Sequence, residues 1–224
     1  MKVNEIFASI EGECKRAGLP CTFIRLYGCN LHCSYCDTRY ACENNEYTVM
    51  SIPNIINRCI ELGIPNITVT GGEPMIHPGI ESLLQALMKQ GFNVNVETNG
   101  TCEPFNYLFD ARRCESIPGT LLYIVDYKSP SSGMNDEMRL YTFLQFHCND
   151  VLKFVVGNEE DMDCALALIE QLDSQDRPAI YFSPVFGQIE PAEIVNYLIG
   201  KKLFDCKVQL QLHKFIWEPN KRGV

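Results

Sequence analysis

Three cysteines lie close together in the segment YGCNLHCSYCDT, residues 27 to 38. Cys29, Cys33 and Cys36 are separated by three residues and then by two. Polar residues surround them, so a set of buried apolar side chains explains the pattern poorly. In a reducing compartment, clustered thiols are more often metal ligands than disulfides. The segment therefore predicts a metal centre.

The number of thiols bears on the kind of metal centre. A structural zinc site needs four protein ligands, and Cys42 or His32 would have to supply the fourth. A four-iron cluster also normally takes four thiolates, and with three of them one iron is left open. An open metal position can bind a substrate or a cofactor. The count of three therefore favours an iron–sulfur cluster with a chemical role, and structural zinc is the less favoured alternative.

A second segment, TVTGGEP at residues 68 to 74, follows a predicted buried strand. Its two glycines allow the backbone to approach a ligand closely. Glu73 offers a carboxylate to an ammonium group. Alone the segment would be an ordinary turn, but at this distance after the three cysteines it predicts a second part of the same site.

The two segments together resemble the radical S-adenosylmethionine superfamily. The shared features are the cysteine spacing after a first strand, Tyr35 just before the last cysteine, and GGEP at the end of a strand. The resemblance implies a four-iron, four-sulfur (4Fe-4S) cluster on Cys29, Cys33 and Cys36, with S-adenosylmethionine bound to the open iron. It also implies an external one-electron donor of the flavodoxin or ferredoxin type.

The two ends of the chain narrow this resemblance. VNEIFASIEGEC (3 to 14) and LQLHKFIWEPNKRGV (210 to 224) are similar to the branch of the superfamily that contracts a reduced pterin ring. That branch implies conversion of 6-carboxy-5,6,7,8-tetrahydropterin to 7-carboxy-7-deazaguanine with loss of ammonia, in queuosine and 7-deazapurine biosynthesis. The 5′-deoxyadenosyl radical abstracts the hydrogen, so no side chain is assigned as catalytic. The branch further implies Mg²⁺ dependence and a homodimer.

The resemblance assigns roles to residues by their position. Thr38 matches the Mg²⁺ ligand, and Arg25 is expected to face the substrate carboxylate, because guanidinium and carboxylate pair in a bidentate fork. The positions that match cofactor-binding residues are Tyr35, Cys36, Asp37, Gly72, Glu73, Asp126, Tyr127, Lys128, Ser183, Pro184, Val185 and Phe186. The positions that match substrate-binding residues are Ile10, Glu11, Gly12, Glu13, Arg25, Thr70 and Val224, the last through its terminal carboxylate.

Some positions depart from the family pattern. Glu11 stands where Gln is commoner, and an ionised Glu cannot donate a hydrogen bond as Gln can. Asp126 and Tyr127 replace the usual Ser and Pro before Lys128, and Ser183 stands where Gln is commoner. Side-chain contacts at these positions are therefore expected to differ from the family pattern.

Three alternatives are considered, the first another enzyme and the other two from different classes of function. A glycyl-radical activating enzyme shares the cysteine spacing but acts on a protein partner, so turnover of a free pterin separates the two. A non-catalytic iron–sulfur or zinc module would not cleave S-adenosylmethionine and would leave Glu73 without a purpose. A plain α/β scaffold would make the cysteines, GGEP and the matching ends coincidences.

Composition sets limits on location and partners. The net charge of -9 and the absence of a basic stripe argue against a nucleic-acid surface. The apolar runs are far shorter than the roughly 20 residues that span a bilayer. The first residues have no long apolar core, so we expect no signal peptide. We therefore expect a cytoplasmic protein whose nine other cysteines are mostly small buried residues.

The elements that must position these residues alternate along the chain. Strands are predicted at 21–26, 66–70, 93–97, 121–127, 151–156, 179–183 and 207–212, and helices at 51–62, 80–90, 135–146, 159–172 and from Pro191. Alternation of this kind indicates crossover units and a parallel sheet. A complete eightfold barrel usually needs about 250 residues. The 224 residues are therefore expected to form one radical S-adenosylmethionine domain, an incomplete β/α barrel with a mainly parallel sheet.

Overall fold

The computed structural model describes residues 1–106, 108, 117–173, 175–219 and 221–224. Its strands are β1 (Lys2–Ile10), β2 (Pro20–Leu26), β3 (Thr48–Val49), β4 (Asn66–Gly71), β5 (Asn93–Thr98), β6 (Thr120–Tyr127), β7 (Val151–Val156), β8 (Ala179–Pro184) and β9 (Lys207–Val208). Its helices are α1 (Tyr40–Glu43), α2 (Ile52–Leu62), α3 (Ile80–Lys89), α4 (Leu140–Phe143), α5 (Glu159–Ile169), α6 (Pro191–Gly200) and α7 (His213–Ile216).

The strands form one open sheet in the order β3-β1-β2-β4-β5-β6-β7-β8-β9. Strands β2 and β4 to β9 are parallel, whereas β1 runs antiparallel to both β2 and β3. The sheet is not closed into a barrel, which confirms the predicted incomplete barrel with a mainly parallel sheet. Because the carboxyl ends of parallel strands meet at one edge, the loops that follow them come together there.

The helices begin and end where the sequence signals predict. In α2 the Ser51 hydroxyl accepts a hydrogen bond from Asn54 N at 3.3 Å, and Gly63 ends the helix with φ 71°. Asn158 caps α5 in the same way, through Asp161 N at 2.9 Å. These caps satisfy backbone donors that have no partner within the helix. No described helix is long and apolar enough to cross a membrane.

The structure corrects two predicted elements and contains a strand, β1, that the sequence pattern misses. The predicted helix at 135–146 is only a 3-10 turn at Asn135–Glu137 and one turn of α4, because Arg139 between them has extended backbone. The predicted strand at 207–212 pairs only at Lys207–Val208, since the chain then leaves the sheet to pack on the loop after β1. Strand β1 is not predicted, because its half-buried residues show no clear period of two.

The scattered cysteines are also less buried than predicted. Cys14, Cys21 and Cys59 are buried, Cys148 is exposed, and Cys114 lies outside the described residues. Cys42, Cys102, Cys164 and Cys206 are half-buried. Cys42 differs from the others because it borders the cavity described next.

Candidate active site

A cavity of about 480 Å³ lies at the carboxyl ends of the parallel strands. It brings together residues that are distant in sequence, from the cysteine loop to the segment after β8. The sequence-predicted residues that line it are Arg25, Cys29, Cys33, Tyr35, Cys36, Asp37, Thr38, Thr70, Gly72, Asp126, Lys128, Pro184, Val185 and Phe186. The predicted residues that do not line it are Ile10, Glu11, Gly12, Glu13, Glu73, Tyr127, Ser183 and Val224.

The loop that carries the three cysteines is held by its backbone. Gly28 N donates to Ala41 O at 2.8 Å, and Ser34 N donates to Ser132 O at 2.9 Å. The Arg39 guanidinium closes the loop by donating to Ser34 O at 2.8 Å and to Cys33 O at 3.2 Å. All three cysteines of this loop line the cavity.

The thiol of Cys29 lies in a setting that favours its thiolate form. A hydrogen bond with the Cys42 side chain is the main cause that lowers the pKa of Cys29 to about 6. Leu31 N at 3.4 Å and Asn99 Nδ2 at 3.9 Å also donate to its sulfur. A thiolate is the form that binds metal, and thiolates are the ligands that iron–sulfur clusters use. The three cysteine side chains are therefore a donor set that fits a cluster.

Gly72 permits the close approach between the GGEP segment and the cysteine loop. A Cβ at Gly72 would lie 2.1 Å from Gly28 O and 2.9 Å from Cys29 Cβ. Glu73 N donates to Gly28 O at 2.8 Å, so the two segments are also joined by the backbone. The glycine is needed for contact between the segments, as its type suggests.

We expect Gly72→Ala to displace the cysteine loop, because the added methyl group would overlap the backbone of Gly28. The iron content of the reconstituted protein should fall several-fold. The matched control is Gly200→Ala, which adds a methyl group at a glycine with nothing within 4 Å. Iron analysis and visible absorption of both variants would check this. Full iron loading of Gly72→Ala would show that the loop adapts.

The Glu73 carboxylate is fully buried and accepts three hydrogen bonds from the protein itself. Its donors are Asn99 N at 2.6 Å, Thr98 Oγ1 at 2.8 Å and Met75 N at 2.9 Å. Burial is the main cause that raises the pKa of Glu73 to about 7. In this structure Glu73 therefore fixes the loop after β5, and that loop lines the cavity.

Four charged side chains form a network behind and beside the cavity. Lys128 Nζ lies 2.9 Å from Asp126 Oδ2, and Lys153 Nζ lies 2.7 Å from Glu13 Oε2 and 3.7 Å from Asp126 Oδ2. Burial alone would lower the pKa of Lys153, but the carboxylates of Glu13 and Asp126 hold it well above its ordinary value. Lys153 therefore stays charged, and it lines the cavity.

Sequence reasoning gave no site role to several polar residues that line the cavity, and Lys153 and Glu97 are two of them. Lys153 sits within VLKFVV, where the apolar pattern of the strand hides it. A lysine between buried strand positions was the available signal, because lysine is rarely buried without a partner. Glu97 is the penultimate residue of β5 and accepts a hydrogen bond from Thr70 Oγ1 at 2.6 Å. A carboxylate at the carboxyl end of a buried parallel strand was its signal.

The predicted substrate-binding segment from Ile10 to Glu13 does not line the cavity but lies behind residues that do. The Glu11 carboxylate accepts from Thr68 Oγ1 at 2.5 Å, Gly12 N at 3.1 Å and Asn95 Nδ2 at 3.3 Å. Burial first, and then the charge of Glu97, raise the pKa of Glu11 from 4.5 to about 7. A protonated Glu11 can donate a hydrogen bond as Gln does, so this departure from the family pattern is smaller than the sequence alone suggests.

We expect Glu11→Gln to stabilise the protein at pH 8 by roughly 3 kcal/mol, at about 1.36 kcal/mol per pKa unit. Between pH 4.5 and about 7 the folded protein holds a proton that the unfolded chain has released. Stability therefore falls as the pH rises through this window, and Gln removes that fall. Urea unfolding at pH 5.5 and pH 8 would measure it, with the exposed Glu103→Gln as control. An equal pH dependence in Glu11→Gln and the native protein would contradict the expectation.

The C-terminal residues fold back over the first strand, near the cavity. Arg222 stacks on the Tyr40 ring at 3.9 Å and lies 3.3 Å from Glu46. Gly223 approaches Glu5, and Glu5 in turn lies 2.7 Å from the Arg25 guanidinium that lines the cavity. Val224 is half-buried. The end of the chain is therefore seated beside Arg25, which is where the substrate carboxylate is predicted.

Comparisons with known proteins agree with this fold. The model of the radical SAM superfamily matches residues 23–115, which contain the three cysteines and GGEP. The class of protein is therefore a radical S-adenosylmethionine enzyme, and this class implies a 4Fe-4S cluster and S-adenosylmethionine. The three cysteines that line the cavity fit that cluster.

Close relatives define the branch of the superfamily. A 7-carboxy-7-deazaguanine synthase from Clostridium acetobutylicum is 41% identical over 225 residues, covering 100% of this chain and 99% of that protein. Another from Chlorobaculum tepidum is 37% identical, covering 100% of this chain and 97% of that protein. The crystal structure of QueE from Escherichia coli has the same fold, with a TM-score of 0.72, 23% identity, and coverage of 95% of this chain and 94% of that one. The chain belongs to the 7-carboxy-7-deazaguanine synthase family.

Proposed function

We propose that this enzyme converts 6-carboxy-5,6,7,8-tetrahydropterin to 7-carboxy-7-deazaguanine with loss of ammonia, as a step of queuosine and 7-deazapurine biosynthesis. The observation that carries the proposal is one cavity that is lined both by the three cysteines and by Arg25, Thr70 and Lys153. Such a cavity can hold a cluster-bound cofactor and an anionic substrate side by side. The family membership of the chain supports the same reaction.

The cofactor side of the cavity would hold the cluster on Cys29, Cys33 and Cys36. When bound, the cluster and S-adenosylmethionine supply the 5′-deoxyadenosyl radical that the reaction needs. The protein would position the cofactor: Gly72 would let the backbone approach the cluster, and Tyr35 borders the cavity with its hydroxyl 3.3 Å from Val155 O. Asp126 and Lys128 offer opposite charges on the same side.

The substrate side of the cavity would hold the pterin. Arg25 donates from Nε to Glu5 at 2.7 Å, and among the described residues its two terminal nitrogens have no hydrogen-bond partner, so they are available to a substrate carboxylate. Thr70 and Glu97, joined at 2.6 Å, provide a hydroxyl and a carboxylate for the nitrogen-rich edge of the pterin. Glu11 and Glu13 would act from behind this wall by fixing their partners.

Magnesium would bind at Thr38, next to Asp37, since hydroxyl and carboxylate oxygens are ligands that Mg²⁺ prefers. Thr38 Oγ1 lies 3.8 Å from Cys36 Sγ, and Asp37 lies 3.3 Å from Lys214, so both are at the cluster side of the cavity. We expect Thr38→Val to lose the stimulation of turnover by Mg²⁺ while keeping its iron. Turnover with Mg²⁺ and with a chelator would measure this, and Thr48→Val is an exposed control. An unchanged stimulation would remove Thr38 from the site.

We further propose that residues 1–224 act as one domain, in a cytoplasmic homodimer that receives electrons from a flavodoxin or ferredoxin. Sedimentation analysis tests the dimer. Reduction of the cluster by each purified donor tests the electron source.

The first test of the function is product formation without oxygen. The reconstituted, reduced protein is incubated with S-adenosylmethionine, Mg²⁺ and 6-carboxytetrahydropterin, and mass spectrometry looks for 7-carboxy-7-deazaguanine. We expect the product to form. Formation of 5′-deoxyadenosine and methionine alone would keep the radical chemistry, reject this substrate and favour an activating enzyme for a protein partner.

A further inference from the structure

Lys153 is a buried ammonium group whose hydrogen-bonding capacity is only partly used. It lies in the middle of β7, with 9% of its surface exposed. Its nitrogen donates to Glu13 Oε2 at 2.7 Å, but Asp126 Oδ2 at 3.7 Å is beyond hydrogen-bond length. An ammonium group has three donors. Among the residues that the structure describes, two of these donors therefore have no acceptor.

A buried donor without a partner calls for an explanation, because such groups cost stability. A buried ion pair is also a weak source of stability, since desolvation of both charges opposes it. Lys153 lines the cavity, so a molecule inside can reach it. The unused donors point to an acceptor that the ligand supplies.

We infer that Lys153 is a ligand-binding residue that donates to a carboxylate of a molecule in the cavity. Two proposed ligands carry a carboxylate, namely the methionine part of S-adenosylmethionine and the 6-carboxytetrahydropterin. If the carboxylate belongs to the pterin, the inference rests on the proposed function; if it belongs to S-adenosylmethionine, it does not. Lys153 stands between the groups predicted for the two ligands, with Glu13 on one side and Asp126 on the other.

Gln211, which also lines the cavity, is the positioning residue for this lysine. Its Nε2 donates to Glu13 Oε1 at 2.6 Å, so each oxygen of the buried Glu13 carboxylate has one partner, Gln211 or Lys153. The backbone holds the segment in place, because Leu212 N donates to Gly12 O at 3.1 Å. Gln211 thus fixes Glu13, and Glu13 fixes the ammonium group.

The test measures equilibrium binding of each ligand to the reconstituted protein without oxygen. The central variant is the double substitution Glu13→Gln with Lys153→Met, which removes both charges and leaves no unpaired buried ion. Lys153→Gln is a second variant whose amide still donates to Glu13. Lys207→Met is the matched control, because Lys207 lies on β9 and contacts the Tyr181 hydroxyl at 3.2 Å outside the cavity. Thermal unfolding identifies which variants are folded.

Analogues without a carboxylate separate binding from a general change in the cavity. We expect the double variant to bind one carboxylate ligand about 10- to 100-fold more weakly, the usual effect of losing a charge-assisted hydrogen bond. Its affinity for the matching analogue, decarboxylated S-adenosylmethionine or 6-methyltetrahydropterin, should equal that of the native protein. The affected ligand shows which carboxylate Lys153 holds.

Gln211→Met tests the positioning role. It should weaken the same ligand by a smaller factor, about threefold. When Gln211→Met is added to the double variant, ligand affinity should not fall further, because the Glu13 carboxylate and the Lys153 ammonium group are already absent. A purely structural Gln211 would instead lower affinity equally in both backgrounds, which would reject this role.

Two results would overturn the inference about Lys153. One is native affinity of the folded double variant, or of Lys153→Gln, for both carboxylate ligands. The other is an equal loss for ligands with and without the carboxylate. If the native protein does not bind the pterin, the proposed function fails, and the S-adenosylmethionine measurements alone still decide the role of Lys153.

Discussion

Cys33→Ala is expected to hold little iron after reconstitution and to form neither 5′-deoxyadenosine nor 7-carboxy-7-deazaguanine. Cys33 is 8% exposed and lines the cavity with Cys29 and Cys36, so Cys33→Ala removes one of the three thiols that are predicted to hold the cluster. Removing a residue that hydrogen-bonds to a metal ligand typically weakens metal affinity 10- to 100-fold. Removing the ligand itself should weaken it by more than about 100-fold. Iron analysis, visible absorption and mass spectrometry would measure the three effects together.

The matched control for this loss is Cys148→Ala. Cys148 is exposed and is not among the residues that line the cavity. It should keep native iron content and turnover. Native iron content in Cys33→Ala would show that the cluster is held by other residues, and Cys42 beside Cys29 would be the first candidate.

Extending the chain beyond Val224 is expected to raise the KM for the pterin about 100-fold with a smaller change in that for S-adenosylmethionine. The predicted contact is a carboxylate that accepts two donors of the pterin, and its loss would cost roughly 3 kcal/mol. The position of Gly223 and Arg222 against Glu5 and Tyr40 leaves the end of the chain beside Arg25. Steady-state kinetics with an extension of a few small residues would measure it.

The control for the extension is the same protein after a protease has removed the added residues up to Val224. Its KM should return to the native value, which excludes damage during purification. A KM for the pterin that is the same before and after removal would show that the terminal carboxylate does not bind the substrate.

The sequence by itself determined the parts of this protein that depend on local chemistry. The spacing of Cys29, Cys33 and Cys36 fixes three thiols on one loop, whatever the rest of the chain does. Ser51 and Gly63 mark the ends of α2 because a cap and a left-handed residue act within one turn. Alternating apolar segments predict the parallel open sheet, since crossover units follow from order along the chain.

Segments with weak local signals were decided by their surroundings. Residues 207 to 212 have a strand pattern, but only Lys207–Val208 pairs with β8. Gln209 Oε1 then accepts a hydrogen bond from Cys14 N at 2.7 Å. Gln211 Nε2 donates to Glu13 Oε1 at 2.6 Å. Contacts across nearly 200 positions in the chain override a local preference, because strand propensity reflects the packing that a segment finds.

Only the tertiary structure decided the electrostatics of the site. Glu11, Glu13 and Lys153 are ordinary charged residues in the sequence, and burial changes what each can do. Glu11 is raised to a pKa of about 7 by desolvation and by Glu97, whereas Lys153 stays charged because two carboxylates face it. Desolvation and Coulomb energies depend on distances between residues far apart in the chain, and the fold alone sets those distances.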